Sequence, residues 1–340
     1  MSGDLRDLVS GSDRTWLVTG AAGFIGSALC ETLLGFGQKV IGLDNFATGH
    51  QHNVDMVKAG AGDAAANYEF VEGDICDADL TESLCKRADI VLHQAALGSV
   101  PRSIDNPLAS HHANVTGFIT IAVAAARGQV KRFVYASSSS VYGDHPALPK
   151  VEENIGKPLS PYAATKFINE VYADNVQRVY GLETIGLRYF NVYGRRQDPN
   201  GPYAAVIPRW VELLFTDQPC KIFGDGTQSR DFCHVNNAVQ ANLRAALAPS
   251  EATQRVYNVG CEGNTNLLDL YTALKNAVGR HYAQAASATV IHEEPRAGDV
   301  PHSQAAIEAA RGALGYEPTV QIDRGLEMTV DWFAAQRNKS

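Results

Sequence analysis

The sequence predicts an α/β fold, a doubly wound parallel sheet with a smaller mixed α/β lobe, and three observations carry that expectation. Short apolar runs alternate with helix-like stretches through the first half of the chain. One of those runs enters a glycine-spaced turn and leaves as a helix. Small or polar residues end nearly every run, which is where ligands lie in such sheets.

The first run, Trp16-Leu17-Val18, leads into Gly20, Gly23 and Gly26 and continues through Ser27-Ala28-Leu29 with helical periodicity. This strand, turn and helix form a Rossmann-type dinucleotide site: Gly20 allows a tight turn, Gly23 close approach of backbone to a pyrophosphate, and Gly26 close packing of helix on strand. The spacing is GxxGxxG rather than GxGxxG. A second strand, 39–43, ends in Asp44, near the distance at which an acid meets the adenosine ribose hydroxyls. Residues 45–49 offer no cation for a 2′-phosphate, so the expected cofactor is NAD. Further strands are read at 68–71, ending in Gly73-Asp74-Ile75; at 90–92, ending in His93-Gln94-Ala95-Ala96; and at 133–136, ending in Ser137 to Ser140. Asp74, Ala95 and Ser137 thereby become cofactor neighbours by position.

Two more strands are read at 184–189 and 256–259, but the alternation breaks down around them, with turn-rich stretches at 195–202 and 224–226. Residues 1–190 are expected to be mainly the NAD-binding domain and 191–340 mainly a substrate-binding lobe, with elements near 230–260 returning to the first.

At 340 residues, 45% hydrophobic and 19% charged, the chain reads as globular. A formal charge of −8 argues against nucleic acid or an anionic membrane as partner. The most apolar stretch, 118–126, is too short to span a bilayer, and the first residues lack the apolar core of a signal peptide. A cytoplasmic location is expected. Six dispersed cysteines without a CxxC pair suit reduced thiols. The pairs His50/His52 and His111/His112 have no third ligand at recognisable spacing, so no metal is expected. Asn114-Val115-Thr116 matches a glycosylation acceptor, which a cytoplasmic chain would not use.

The most chemically informative stretch is 160–166, Ser-Pro-Tyr-Ala-Ala-Thr-Lys. Ser160 suits an N-cap and Pro161 a first helical position, so Tyr162 and Lys166 fall one turn apart on one helix face. A nearby ammonium, helped by a positive nicotinamide ring, would favour phenolate and make Tyr162 a general base.

The glycine turn, the serine cluster before Val141-Tyr142-Gly143, and Tyr162-x-x-x-Lys166 together resemble the extended short-chain dehydrogenase/reductases over nearly the whole chain. The stretches 187–194 and Arg296-x-Gly298-Asp299-Val300 resemble the UDP-hexose 4-epimerases. Leu97 to Ser103 and Gly194 to Pro199 resemble the bacterial UDP-N-acetylglucosamine 4-epimerases. The resemblance implies a homodimer and reversible C4 epimerisation of a UDP-N-acetylhexosamine through a transient 4-keto sugar, with NAD tightly held. Tyr162 would be the base, Lys166 would lower its pKa, and Ser138 would relay the proton. It further implies that Phe24, Ile25, Asn45, Gly49, Ile75, Gln94, Ala96, Asn114 and Tyr189 join the cofactor site. Gly98, Ser99, Ser138, Ser139 and Tyr162 would meet the sugar, Asn191, Arg230 and Arg296 the pyrophosphate, and Gln197 and Ala205 the sugar or uridine. Ser303 stands where hexose-only epimerases carry a bulky tyrosine, and so leaves room for an N-acetyl group. Ala306 departs from the family, which usually has aspartate there.

Three alternatives differ by site chemistry. Dehydration of a nucleotide sugar would need Thr-Asp-Glu where this chain has Ser138 to Ser140. Epimerisation of a UDP-N-acetylhexosaminuronate would need a partner for the C6 carboxylate, for which Arg102, Ser99 and Ser103 are candidates. A non-catalytic NAD-sensing regulator is possible on the same fold, but such proteins commonly lose the tyrosine-lysine pair.

Overall fold

The computed structural model describes residues 3–11, 13–201, 203–294 and 300–338. Six strands form in chain order at the predicted places: β1 (Thr15–Thr19), β2 (Lys39–Asp44), β3 (Tyr68–Glu72), β4 (Ile90–His93), β5 (Arg132–Ser138) and β6 (Thr184–Tyr189). With the strand Arg255–Val259 outside β6, they build one seven-stranded sheet in the order Arg255–Val259, β6, β5, β4, β1, β2, β3. Every pairing is parallel. Strands β2 and β3 continue to one side of β1, and β4, β5 and β6 to the other. The order therefore reverses between β1 and β4, and a crevice opens beyond their carboxyl ends.

Strand β5 runs two residues further than its apolar run. Its neighbour β6 keeps pairing with it as far as Ser138 opposite Tyr189, so the ladder carries the first two serines of the cluster into the sheet. Both faces of the sheet are buried, as a parallel sheet requires. Trp16, Val18, Val40, Leu92 and Val134 pack with helices Phe24–Gly35 and Val235–Leu247 on one face. Leu17, Ile41, Val91, Phe133 and Tyr135 pack on the other with Gly117–Arg127 and Pro161–Tyr180. The apolar stretch 118–126 lies within the helix Gly117–Arg127 and packs on that second face.

A third core, built on Trp210, Leu214, Ile222, Leu270, Leu274 and Phe333, belongs to a smaller assembly after β6. It includes the parallel pair Cys220–Phe223 with Val290–Glu293 and a three-stranded patch joining Thr265–Asn266, Ser229–Arg230 and His302–Ser303. Helix Val235–Leu247 and strand Arg255–Val259 cross back to the main sheet. All six cysteines are free thiols. Among the described residues no helix is long and apolar enough to cross a membrane.

Candidate active site

The turn after β1 is tight because Gly20 adopts φ +70, and its N–H donates to the Leu43 carbonyl at 2.9 Å. A β-carbon on Gly20 would stand 2.8 Å from the Ala95 nitrogen, so the ends of β1 and β4 meet here. One on Gly26 would stand 2.0 Å from the Gly20 carbonyl oxygen. The helix Phe24–Gly35 thus starts directly against the turn with its unpaired N–H groups facing the crevice. A cavity of about 500 Å³ opens there, lined by Gly20, Gly23, Phe24, Ile25, Gly26, Asp44, Asn45, Asp74, Ile75, Gln94, Ala95, Ala96, Ser137, Tyr162, Lys166 and Tyr189. Gly98, assigned to the sugar, lines it too. Two expected cofactor residues stand behind the wall. Gly49 packs against Ala22 and Asp44, and Asn114, in a π-helical turn, pairs its amide with the Leu97 backbone and Thr165. Asn114 is 1% exposed, so it is no glycosylation acceptor.

At the β2 end, Asp44 accepts from Ala22 N at 3.0 Å and Phe46 N at 2.8 Å. Burial pushes its carboxyl up, against those same N–H groups. Asp74 is exposed; what burial it has raises it, but hydrogen bonds from Cys76 and Asn45 outweigh this and hold it below the usual carboxylate range. Two carboxylates at one end of the cavity suit ribose hydroxyls and oppose a 2′-phosphate, as NAD rather than NADP requires. The glycine cradle, the helix terminus and these acids fit that dinucleotide.

At the other end stands the helix Pro161–Tyr180. Ser160 caps it through Ala163 N at 3.1 Å, and Pro161 occupies its first turn. Ser103, on the helix Val100–Asp105, accepts from Tyr162 N at 3.0 Å and donates to Val100 O at 2.7 Å. Its hydroxyl is fully used and fully buried, which removes it from the groups that could meet a C6 carboxylate. Ser99 caps the same short helix through Arg102 N while holding φ +95, a strained backbone at the rim of the site. The Arg102 guanidinium lies 5.0 Å over the Tyr203 ring, whose hydroxyl donates to Asp105 at 2.7 Å.

The Lys166 ammonium is buried, 6.0 Å from the centre of the Tyr162 ring, and donates to the Ala136 carbonyl at 2.8 Å. Burial pulls its pKa down to about 8, with Glu170 opposing. Burial also pushes the Tyr162 phenol up, while its hydrogen bond with Ser138 pulls the other way. Within the chain, burial therefore dominates and holds the phenol above its ordinary value. Burial of a phenol with no full charge in contact favours the neutral form. Ser137 lines the cavity, but its hydroxyl donates to Glu170 at 2.6 Å. Gln94 and Tyr189 likewise turn their polar ends into a network with Asn242.

A second cavity, of about 520 Å³, is lined by Asn191 and Arg230 together with Arg209, Trp210, Gln218, Lys221 and Phe223. Arg230 also donates to the carbonyls of Ser229 and Pro301. Ser303 pairs in register with Arg230, and Asn191 donates to the Asp231 carbonyl. Buried Asp231 accepts in turn from Cys261 N and Ala305 N, which ties these segments together. Ala306 is buried, and its carbonyl accepts from Asn258. Ala205 stands at the start of the helix Val206–Phe215 beside the wall residues Ala204 and Val206. Ser139 opens the short turn Ser139–Tyr142, and Gln197 donates to Val192 O while its own carbonyl oxygen is buried without a partner. Arg296 lies outside the described residues. Arg209, Gln218 and Lys221 went unassigned from the sequence. The signal for the last two is the turn at 216–219 leading into an alternating strand, with Lys221 on its exposed side. The loop bearing Gln197 is tied to the glycine-turn helix by Arg195 and Arg196 on Glu31, and His50 reaches Asp198 at 3.3 Å while stacking on His52.

A parallel sheet whose order reverses over a glycine turn, with a tyrosine and a buried lysine one turn apart across the crevice, defines a dinucleotide-dependent α/β protein. Residues 16–260 match the NAD dependent epimerase/dehydratase family, and the chain belongs to it. NAD is the cofactor of that family. A UDP-glucose 4-epimerase of Mycolicibacterium smegmatis is 40% identical over 326 residues, covering 95% of this chain and 99% of that protein. Among solved structures, the UDP-N-acetylglucosamine 4-epimerase of Methanobrevibacter ruminantium in complex with UDP-N-acetylmuramic acid superposes with a TM-score of 0.87 at 33% identity, covering 96% and 99% of the two chains. The UDP-glucuronic acid 4-epimerase of Bacillus cereus, solved with UDP-glucuronic acid and NAD, gives 0.84 at 30% identity, covering 95% and 99%.

Proposed function

We propose that the protein is a UDP-sugar 4-epimerase and that its substrates are UDP-N-acetylglucosamine and UDP-N-acetylgalactosamine. The observation that carries this reading is the placement of Tyr162, beside Ser138 and one turn from a buried Lys166, in a dinucleotide-sized cavity. The second cavity, lined by Asn191 and Arg230, provides the forked donor that a pyrophosphate needs.

Bound NAD supplies a hydride acceptor that becomes the donor for the return step. Gly20, Gly23 and the following helix start would hold its pyrophosphate, and Asp44 its adenosine ribose. Tyr162, as phenolate, takes the proton from the sugar 4-hydroxyl, and Ser138 relays it. Lys166 stays charged beneath the pair and stabilises the phenolate. Asn191 and Arg230, with Arg296, keep the diphosphate anchored while the keto sugar turns its other face. Tyr162 then returns the proton, and no net redox change remains. Ser303 leaves space beside C2 for an acetamido group. Of the three groups considered for a C6 carboxylate, Ser103 is consumed and Arg102 is stacked on Tyr203, which supports the neutral sugar over the uronate.

In this reading residues 1–190 mainly serve NAD, and 191–340 mainly the nucleotide sugar, with 230–260 returning to the first part. The protein works in the cytoplasm as a homodimer, joined through apolar side chains left exposed on the helices Pro107–His111 and Pro161–Tyr180, among them Leu108, Val171 and Val179. Turnover of UDP-GlcNAc, UDP-glucose and UDP-N-acetylglucosaminuronic acid, with no NAD added and products separated by C4 configuration, tests the proposal. Fast interconversion of UDP-GlcNAc with UDP-GalNAc is expected. Preference for the uronate would move the substrate, and no turnover of any of the three would overturn the catalytic reading.

A further inference from the structure

One buried carboxylate behind the site takes no part in the chemistry described above. Glu170 lies one turn beyond Lys166 on the helix Pro161–Tyr180, with its side chain 9% exposed. It accepts from Ser137 Oγ at 2.6 Å, and from Arg188 through Nε and Nη2, both at 2.9 Å. Arg188, 3% exposed, also donates to the Glu152 carbonyl and lies 4.9 Å over the Tyr142 ring. Ser137 stands between Ala136, whose carbonyl holds the Lys166 ammonium, and Ser138, which bears on the Tyr162 phenol. One carboxylate thus touches the strand that carries both contacts of the catalytic pair.

We infer that Glu170 is a positioning residue that keeps the Lys166 ammonium charged and in place by cancelling the Arg188 charge and tying down Ser137. This rests on the proposed tyrosine-lysine chemistry. The physical reason is the company Lys166 keeps. Its own helix presents Tyr162 and Glu170, and β4 presents His93, which burial and then the Lys166 charge itself hold neutral with a pKa of about 3. Glu170 is the carboxylate that bears on Lys166 through the helix, and it opposes the burial that favours the neutral amine. A third cavity, of about 530 Å³, is lined by Glu170 itself with Glu152, Glu153, Asp174 and Arg255. Without the Glu170 charge, Arg188 would be left an uncompensated buried cation on the strand that pairs with Ser137.

The test is the titration of Lys166 in the NAD-loaded protein, with lysine labelled by 13C at Cε and the resonance assigned by its loss in Lys166→Met. Glu170→Gln keeps the shape and is expected to lower the midpoint by about one unit, a tenfold change in the protonation equilibrium. The double variant Glu170→Gln/Arg188→Met removes both charges and should bring the midpoint back toward the parent value. The basic limb of kcat/KM against pH should move down with the same shift in Glu170→Gln and return in the double variant. A midpoint unmoved in Glu170→Gln, or equally low in the double variant, would overturn the inference and leave Glu170 a packing residue. Glu170→Asp retains the charge and should hold the midpoint within about half a unit; a full-unit fall there would also overturn it, even were the glutamine variant not to fold. Lack of turnover by the parent enzyme would sink the epimerase proposal alone, since the lysine titration reads Glu170 without catalysis.

Discussion

Replacing Gly26 by alanine perturbs the cofactor cradle at its tightest point. The added β-carbon would sit 2.0 Å from the Gly20 carbonyl oxygen, 2.6 Å from its carbon and 3.1 Å from the Ala21 Cα, all backbone atoms that cannot swing aside. To reach the shortest tolerable contact, the helix start must retreat from the turn by about 1 Å. Overpacking of this kind costs about 1–3 kcal/mol of stability. The same retreat draws the N-terminal N–H groups away from an anion in the crevice, where each charge-assisted hydrogen bond contributes about 1.5–3 kcal/mol. Losing one weakens NAD binding by roughly 10-fold to 100-fold. The assay is the NAD content of the purified protein by chromatography after denaturation, with melting temperatures taken with and without added NAD. The control is Gly35→Ala, at the far end of the same helix, because a β-carbon there meets nothing within 4 Å. Full NAD content and an unchanged melting temperature in Gly26→Ala would refute the close-packing argument.

Tyr162→Phe should reduce kcat by about 100-fold to 10,000-fold while NAD stays bound, the range expected for loss of a general base; steady-state turnover and NAD content report the two separately. Ser303→Tyr should lower kcat/KM for UDP-GlcNAc by at least about tenfold and spare UDP-glucose, since a steric block beside C2 discriminates by more than about 1 kcal/mol; competition between the two sugars measures it. Acid should destabilise the fold because burial holds His93 neutral, with its pKa pulled from 6.5 down to about 3. Below its unfolded pKa the unfolded chain binds a proton that the folded chain refuses, so stability is full above pH 6.5 and falls as the pH drops toward 3. Over the first two pH units of that window the loss from this group is about 3 kcal/mol. Urea unfolding at several pH values checks this, with a flatter slope expected in His93→Phe.

The glycine turn, the positions of the strands between residues 15 and 93 and the capped start of the Tyr162 helix were legible because each depends on residues close together in the chain. Gly20 must accept a positive φ, Ser160 caps three residues ahead, and strand and helix periods show over a few residues. What the chain alone decided is therefore the local chemistry: a pyrophosphate turn, an acid at the end of β2, and a tyrosine and lysine on one helix face. Only the tertiary structure decided how remote groups share that chemistry. Ser103 reaches the backbone of Tyr162 across 59 positions, Arg196 ties the Gln197 loop to Glu31 across 165, and Asp231 gathers segments at 191, 261 and 305. Those pairings follow from burial, which makes each polar group find a partner wherever the packed chain brings one. The same burial pushes Tyr162 up, pulls Lys166 down and recruits Ser137 for Glu170 rather than for the cavity. Local spacing carries no record of desolvation, because desolvation depends on everything that packs around a group once the chain has closed over it.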